Sequence, residues 1–192
     1  DYSPFFKDDL KLFVENQGGK VFKFINQNYL RVDNSFTHKN QLLSSIFIKN
    51  DTLFRFGGYG FFEAKNYFTY FSNETNEWEA FQTKSKMFPN GTFNNKYFTT
   101  SDYFYFFGGQ SIDQKDKNVK TSNNDLWRYS FVNSSWELLL NNSFFVGKTY
   151  SPFDFFYKEN FYFIHQNNLF SLDINTNSVF KYENLNALDK GN

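Results

Sequence analysis

Few side chains in this sequence could perform covalent chemistry or hold a metal ion. The chain has no cysteine, and its two histidines are His38 and His165. A protein metal site needs several histidine, cysteine or carboxylate ligands that converge on one point. His38 lies in a polar segment typical of a surface loop, and His165 ends a β-rich run. The sequence therefore predicts no metal site, and the lack of cysteine excludes thiolate chemistry.

The carboxylates are the remaining groups that could catalyse a reaction, as the acid–base pair of a glycosidase-like site. Nothing in their spacing identifies such a pair. Several fall in short polar pairs between β-rich runs, where such side chains satisfy backbone groups in tight turns: Asp8, Asp9, Asp51, Asp102 and Glu159. Neither a phosphate-binding glycine loop nor a Gly-x-Ser-x-Gly elbow occurs. The sequence predicts a chain with no catalytic residues and no cofactor.

The composition favours strands and argues against a strongly charged partner. Aromatic residues make up 24% of the chain, and Phe alone occurs 30 times. Aromatic side chains favour pleated, half-buried surfaces, and a sequence poor in alanine disfavours long helices. The 20 basic residues balance 20 acidic ones, so no net field attracts nucleic acid or a membrane surface. No apolar stretch is long enough to span a bilayer.

The sequence does not determine the cellular compartment. An abundance of Phe, Asn, Lys and Tyr is typical of an AT-rich genome. An exported or cell-surface location in such a bacterium is favoured, and a cytoplasmic location is the alternative. The lack of cysteine does not decide between them, since many exported bacterial proteins also lack it.

Four strand–turn–strand units divide the chain, and a second hairpin follows each one. The first hairpins turn at Asp8-Asp9, Asn50-Asp51, Ser101-Asp102 and Glu159-Asn160. Short polar pairs between β-rich runs predict hairpin turns, because their side chains satisfy local backbone groups and tolerate positive φ. Each unit therefore predicts a four-stranded antiparallel meander. The units span residues 2–33, 44–82, 97–140 and 151–183, with a C-terminal tail at 184–192.

The two central units share a finer pattern. An aromatic strand ends in a glycine pair, Gly57-Gly58 or Gly108-Gly109, and a variable loop leads to a second aromatic strand and a lone tryptophan. Internal similarity at a period of about 50 residues indicates stacked units, each too small to bury its own apolar face. The aromatic positions of the pattern are Tyr70 and Trp78 in the second unit, and Trp127, Tyr129 and Trp136 in the third.

This pattern resembles the kelch repeat, a four-stranded blade of a β-propeller. The match is good in the third unit, fair in the second and degenerate in the outer two, where other residues occupy the motif positions: Gly18-Gly19 and Tyr29, and His165-Gln166 and Val179. The resemblance implies an all-β kelch-type β-propeller with about four blades in this chain, belonging to a larger ring of about six or seven. In that case both end blades would expose an apolar flank.

The resemblance also implies structural roles for the motif residues. Paired glycines let the chain leave a strand where neighbouring blades press closely, and Tyr and Trp rings fill the space between blades. Stacking on a carbohydrate is the alternative role for Trp78 and Trp136. The copper-radical oxidases that share the kelch fold need a tyrosine joined to cysteine, so their chemistry is excluded here.

Kelch propellers generally bind partners through the loops that join second to third strands and the loops that join successive blades. Here those loops offer an aromatic group, Tyr59, Phe61 and Phe62, and a polar group, Gln110, Asp113, Lys115 and Lys117. Exposed rings beside mixed charge suit a protein partner, and the alternative is that the charged stretch is merely a solvated insertion. We expect a non-catalytic protein-interaction module, part of a larger bacterial surface or sensor protein. A carbohydrate-binding or mutarotase-like, sugar-isomerising domain is the alternative, and no nucleic-acid partner is expected.

Overall fold

The structure of the chain is a computed structural model that describes residues 2–7, 10–16, 18–35, 41–113, 115–141, 154–165 and 168–182. Within these ranges every regular element is a β-strand. Four antiparallel sheets of four strands each are arranged as the four blades of a β-propeller, which confirms the predicted all-β propeller of four-stranded blades. This part of the chain contains no helix able to cross a membrane.

The first two blades are antiparallel meanders. Blade 1 contains β1 (Tyr2–Lys7), β2 (Leu10–Glu15), β3 (Val21–Ile25) and β4 (Asn28–Arg31). Blade 2 contains β5 (Ser45–Lys49) and β6 (Thr52–Phe56), then the short strands β7 (Tyr59–Gly60) and β8 (Glu63–Ala64), then β9 (Phe68–Ser72) and β10 (Glu77–Phe81). Among the described strands, β7 and β8 pair with each other and form a separate small hairpin.

The last two blades repeat this order. Blade 3 contains β11 (Lys96–Thr99) and β12 (Tyr103–Phe107), the short strands β13 (Gln110–Ile112) and β14 (Lys120–Ser122), and then β15 (Leu126–Ser130) and β16 (Ser135–Leu140). Blade 4 contains β17 (Asp154–Tyr157), β18 (Asn160–His165), β19 (Asn168–Asp173) and β20 (Ser178–Lys181). The two small hairpins of blades 2 and 3 were not predicted from the sequence.

The turns lie where the polar pairs predict them, with one shift. Asn50 and Asp51 both have positive φ, 47° and 60°, as the tight turn of a β-hairpin requires. In blade 4 the turn residues are Lys158 and Glu159, with φ of 45° and 31°, and Asn160 is already the first residue of β18. The predicted turn at Asp8-Asp9 and the C-terminal tail lie outside the described residues.

The inner strands of blades 2 and 3 are buried on both faces, and this explains their nearly continuous runs of apolar residues. Successive side chains of a strand point to opposite faces. In β6, Leu53 packs towards blade 1, whereas Phe54 and Phe56 pack towards blade 3. A strand held between two blades therefore needs apolar residues at nearly every position.

Three apolar clusters hold the four blades together, one between each pair of neighbours. Between blades 1 and 2 lie Leu12, Val14, Val21, Ile46, Leu53, Phe71 and Trp78. Between blades 2 and 3 lie Phe47, Phe54, Phe56, Phe68, Phe104, Phe106, Trp127, Tyr129 and Trp136. Between blades 3 and 4 lie Phe98, Tyr105, Phe107, Leu126, Phe161, Phe163, Phe170 and Leu172. The core is thus a set of blade interfaces rather than one central mass.

Candidate functional site

The loops predicted to bind a partner form one hydrogen-bonded layer, which we call the loop face. It consists of the loops that join second to third strands in blades 2 and 3 and the loops that join blades 1 to 2 and 2 to 3. Leu42 pairs with Tyr59, and Phe93 pairs with Gln110, each through an isolated β-bridge. Backbone bonds between these segments therefore fix their relative positions.

The glycine pairs allow this layer to press against the blades. Gly57 and Gly58 have φ of 68° and 96°, and Gly108 and Gly109 have φ of 62° and 85°. A Cβ added to Gly57 would lie 2.5 Å from the carbonyl oxygen of Thr92, a distance that real Cβ atoms do not adopt. Glycine is required at such positions because it alone combines positive φ with a close backbone approach. These residues shape the loop face and offer no side chain to a ligand.

The small hairpin of β7 and β8 carries two exposed phenylalanines at its tip. Phe61 and Phe62 are the turn residues, with φ of 54° and 61°, and 64% and 72% of their surfaces are exposed. Tyr59 differs from them, because its ring lies 5.5 Å from that of Phe93 and is half-buried. The structure thus separates the predicted aromatic group into two projecting rings and one packed ring.

A third exposed apolar residue of the loop face was missed by the sequence argument. Leu43, in the loop that joins blades 1 and 2, has a φ of 58° and is 47% exposed. Among the described residues, thirteen besides glycine have positive φ, and Leu43, Phe61 and Phe62 are the apolar ones. The other ten are Asn, Asp, Gln, Ser, Lys and Glu residues. No sequence signal marks Leu43, because its conformation is set by the loops around it.

A polar cleft of about 640 Å³ opens beside the β7–β8 hairpin. It lies between this hairpin, the loop from blade 2 to blade 3, and the β13–β14 hairpin. Charged residues of both signs line it: Glu63, Asp113, Lys115, Lys117 and Asp125. The structure therefore brings three predicted site residues together and adds two carboxylates that the sequence argument did not place in a site.

Two of the predicted polar residues support the loops themselves. Asp113 Oδ1 accepts hydrogen bonds from the backbone N–H groups of Lys115 and Asp116, at 2.7 and 2.9 Å. These bonds hold the pKa of Asp113 below its ordinary value. Gln110 exchanges backbone hydrogen bonds with Phe93 at 2.9 Å in both directions. Lys115 and Lys117 are the exposed cations of this group.

The structure gathers no metal ligands in the part of the chain that it describes. No three His, Cys, Asp or Glu side chains come close enough there to hold an ion. His38 lies outside the described residues, as does Gln166. His165 is the last residue of β18.

The motif tryptophans lie between blades, with little surface open to solvent. Trp78 is 1% exposed, and its Nε1 donates a hydrogen bond of 2.7 Å to the carbonyl oxygen of Gly19 in blade 1. Trp136 is 6% exposed, and its ring lies 4.9 Å from that of Phe56. A buried ring cannot stack on a carbohydrate, so the alternative role for these tryptophans finds no support.

The strand register changes one motif assignment. Trp136 pairs with Tyr129 across β15 and β16, and Trp78 pairs with Phe71 across β9 and β10. Phe71, rather than Tyr70, therefore takes the place of Tyr129 in blade 2. Tyr70 points to the opposite face and donates a hydrogen bond of 2.8 Å to Glu79.

Comparison with known proteins supports the fold. Neither a protein-family model nor a curated protein sequence matches this chain. A solved structure titled "Structure of YjhT" is similar, with a TM-score of 0.66 and 14% sequence identity over 96% of this chain and 65% of that one. This chain therefore spans 65% of the length of that structure. At such low identity the similarity concerns the fold alone, and it places the chain with the β-propellers.

Proposed function

We propose that this chain is a non-catalytic kelch-repeat propeller that binds a partner protein through its loop face. One observation carries the proposal: Leu43, Phe61 and Phe62 are apolar, exposed and in left-handed backbone, and all three belong to loops of the same face. The kelch assignment is supported by the glycine pairs, which directly follow β6 and β12, and by the tryptophans, which occupy equivalent positions in β10 and β16.

Left-handed backbone is costly for large apolar residues. It costs roughly 1–2 kcal/mol for each residue that carries a Cβ, because the side chain crowds the following carbonyl. Folding recovers little of this cost at Phe61 and Phe62, since both side chains remain mostly in water. A residue pair such as Asn-Gly would form the same turn without the cost. Strain combined with apolar exposure is typical of a surface shaped for a partner.

The surroundings of these residues favour a protein over a charged polymer. The adjoining cleft offers Glu63, Asp113 and Asp125 beside Lys115 and Lys117, and the whole chain has no net charge. An apolar centre with a mixed-charge rim is the usual composition of a protein-binding surface. Met87 and Phe88, in the loop between blades 2 and 3, add exposed apolar area at 54% and 46%.

A carbohydrate ligand is the second candidate, and the cleft is the observation that favours it. Its lining is mostly polar, and it includes the side chains of Asn90, Ser111 and Asn124. Amide and hydroxyl groups can exchange hydrogen bonds with sugar hydroxyls. This candidate uses the cleft, whereas the protein candidate uses the hairpin tip, so the two can be tested separately.

The double substitution Phe61→Asn with Phe62→Gly tests the protein candidate. It installs a favourable turn, so we expect the free energy of unfolding to rise by about 1–2 kcal/mol while binding of the partner falls at least tenfold. Partners are captured from cells that express the gene and are then remeasured by titration with purified components. Val132→Ser is the matched control, because Val132 is 75% exposed in the turn between β15 and β16, at the other end of blade 3.

A glycan array tests the carbohydrate candidate. Binding of a sugar that survives the double Phe substitution but is lost in Asn124→Ala or Ser111→Ala would replace the protein proposal with the carbohydrate candidate. A captured protein whose affinity is unchanged by the double Phe substitution would also contradict the proposal.

A further inference from the structure

The turn that joins blades 1 and 2 presents Leu43 in a backbone conformation that leucine rarely adopts. The turn consists of Gln41, Leu42, Leu43 and Ser44, and the Ser44 N–H donates a hydrogen bond of 3.2 Å to the carbonyl oxygen of Gln41. Leu43 has a φ of 58° and is 47% exposed, so contacts of its own side chain offset little of the backbone crowding. Strained backbone of this kind persists only where the surrounding structure holds it. Other residues must therefore hold this turn.

The guanidinium of Arg55 contacts both ends of the turn from inside the molecule. Its Nη2 donates a hydrogen bond of 2.8 Å to the carbonyl oxygen of Gln41, and its Nε donates one of 3.2 Å to Ser44 Oγ. The donors of a guanidinium lie in one plane at fixed angles. These two bonds therefore fix the first and last residues of the turn relative to each other. Arg55 is fully buried, and hydrogen bonds from a charged donor are stronger away from water.

The loop that joins blades 2 and 3 has a left-handed residue at the equivalent position. The β-bridge of Phe93 corresponds to the β-bridge of Leu42, since each joins a loop to the residue that follows a glycine pair. Asn94, which follows Phe93, therefore takes the position of Leu43. Asn94 has a φ of 57°. Asparagine tolerates this conformation far better than leucine does, so this loop has less need of support.

The residue at the position of Arg55 also differs in blade 3. Arg55 pairs with Thr69 across β6 and β9, and Phe106 pairs with Trp127 at the equivalent place across β12 and β15. A phenylalanine side chain has no hydrogen-bond donor. The chain thus combines leucine with a buried arginine at one turn, and asparagine with phenylalanine at the other. The guanidinium is present where the left-handed conformation is costly.

We propose that Arg55 is a positioning residue of the loop face. Its guanidinium clamps the turn from Gln41 to Ser44 and so holds Leu43 in the conformation that presents it to a partner. The use of Leu43 in binding rests on the proposed function, whereas the clamp is a property of the chain without a partner. The carbonyl oxygen of Leu43 also accepts a hydrogen bond of 2.8 Å from the N–H of Asn94. Arg55 thereby helps to place the loop between blades 2 and 3, which lines one side of the polar cleft.

Amide hydrogen exchange in Arg55→Met tests the clamp and needs no partner. Methionine occupies part of the same space but donates no hydrogen bond to either end of the turn. We expect the N–H groups of Ser44 and Asn94 to exchange at least about tenfold faster than in the unsubstituted chain. The N–H of Asn123, which donates to the carbonyl oxygen of Gly109 in blade 3, should exchange within about twofold of its rate in the unsubstituted chain.

Two further variants separate the clamp from a general loss of stability. Phe106→Leu is the matched control, because it alters the equivalent position in blade 3 and leaves both bonds of the Arg55 guanidinium in place. We expect it to leave the ratio of the Ser44 and Asn123 exchange rates unchanged. Leu43→Asn combined with Arg55→Met should return Ser44 exchange to within about threefold of the unsubstituted chain, since asparagine adopts positive φ without support.

Three results would overturn the proposal. The first is unchanged exchange at Ser44 in Arg55→Met. The second is equal acceleration at Ser44 and Asn123, which would show that the substitution loosens the whole chain. The third is no recovery when Leu43→Asn is added. All three concern the chain without a partner, so they are independent of whether the loop face binds a protein.

Discussion

The interface between blades 1 and 2 and the interface between blades 2 and 3 use equivalent backbone positions with different chemistry. In blade 3, Phe106 and Trp127 pair across β12 and β15 and face blade 2. The equivalent pair in blade 2 is Arg55 and Thr69, across β6 and β9. At these positions one interface therefore has rings, and the other has a polar network beside its apolar cluster.

The polar network is centred on Arg55, which is fully buried. Its Nη2 donates to the carbonyl oxygen of Gln41 at 2.8 Å, and its Nε donates to Ser44 Oγ at 3.2 Å. Thr69 Oγ1 donates to Gln41 Oε1 at 2.7 Å. Burial lowers the pKa of Arg55 to about 10, with a small opposing effect of Tyr67, so the group stays charged at neutral pH.

The second interface is built almost entirely from aromatic contacts. The rings of Phe68 and Trp136 are stacked with centroids 5.4 Å apart, and Phe106 meets Trp136 edge-on at 5.6 Å. In the first interface the Arg55 guanidinium takes the place of Phe106 and lies 5.0 Å from the Trp78 ring. The strand register therefore determines where the blades meet, whereas either aromatic rings or a planar cation can fill the space between them.

Placing an arginine at the aromatic interface between blades 2 and 3 is expected to have the largest effect on stability. Phe106→Arg would bury a charge among rings, without the hydrogen-bond acceptors that surround Arg55. We expect the free energy of unfolding to fall by more than about 4 kcal/mol, or the chain not to fold. Chemical denaturation followed by Trp fluorescence measures the loss. Phe106→Leu is the control, and a loss no larger than that of the control would contradict the comparison.

Gly19→Ala is expected to cause the second-largest loss of stability. Gly19 has a φ of 76°, and a Cβ there would lie 2.1 Å from Arg55 Nη1. We expect a loss of about 2–4 kcal/mol in the free energy of unfolding, because left-handed strain and displacement of the guanidinium add together. Gly18→Ala is the matched control, since its Cβ would meet only the flexible end of Glu15. Equal losses in the two variants would exclude this account.

Arg55→Met is expected to have a smaller effect. It removes a buried charge, and this gain offsets part of the lost hydrogen bonds to Gln41 and Ser44. We expect a net loss of about 1–2 kcal/mol in denaturation experiments. Combining Arg55→Met with Gly19→Ala should cost less than the sum of the two, because the clash is with the guanidinium. If the two losses in the free energy of unfolding add exactly, the loss in Gly19→Ala comes from the positive φ alone and not from a clash with the guanidinium.

The sequence predicts the strands better than it predicts which face each side chain occupies. Polar pairs such as Asn50-Asp51 fix the hairpins, so the four meanders follow. In Phe54-Arg55-Phe56, however, both faces of the strand are buried, and alternation gives no sign that Arg55 lies inside. The same cause led to the assignment of Tyr70 to a position that Phe71 occupies.

The candidate site was predictable in part for a related reason. Phe61 and Phe62 stand out in the sequence because two rings follow a glycine-rich stretch. Leu43 and the cleft carboxylate Asp125 do not stand out, because contacts between distant loops determine where they lie. Turns can be predicted from the local sequence. The loop face, in which Leu42 pairs with Tyr59 and Phe93 with Gln110, depends instead on how whole blades pack.

The smallest expected effect is a difference in stability between substitutions of Trp78 and Trp136, which occupy equivalent positions in the two interfaces. Trp78 Nε1 donates a hydrogen bond to Gly19, whereas Trp136 Nε1 has no hydrogen-bond partner among the described residues. Trp→Phe at either position removes similar ring area, but only Trp78→Phe also leaves a buried carbonyl oxygen without its donor. We therefore expect Trp78→Phe to lower the free energy of unfolding by about 1 kcal/mol more than Trp136→Phe. Equilibrium unfolding in urea can resolve this difference, and equal losses would show that the polar network of the first interface contributes no more than ring packing.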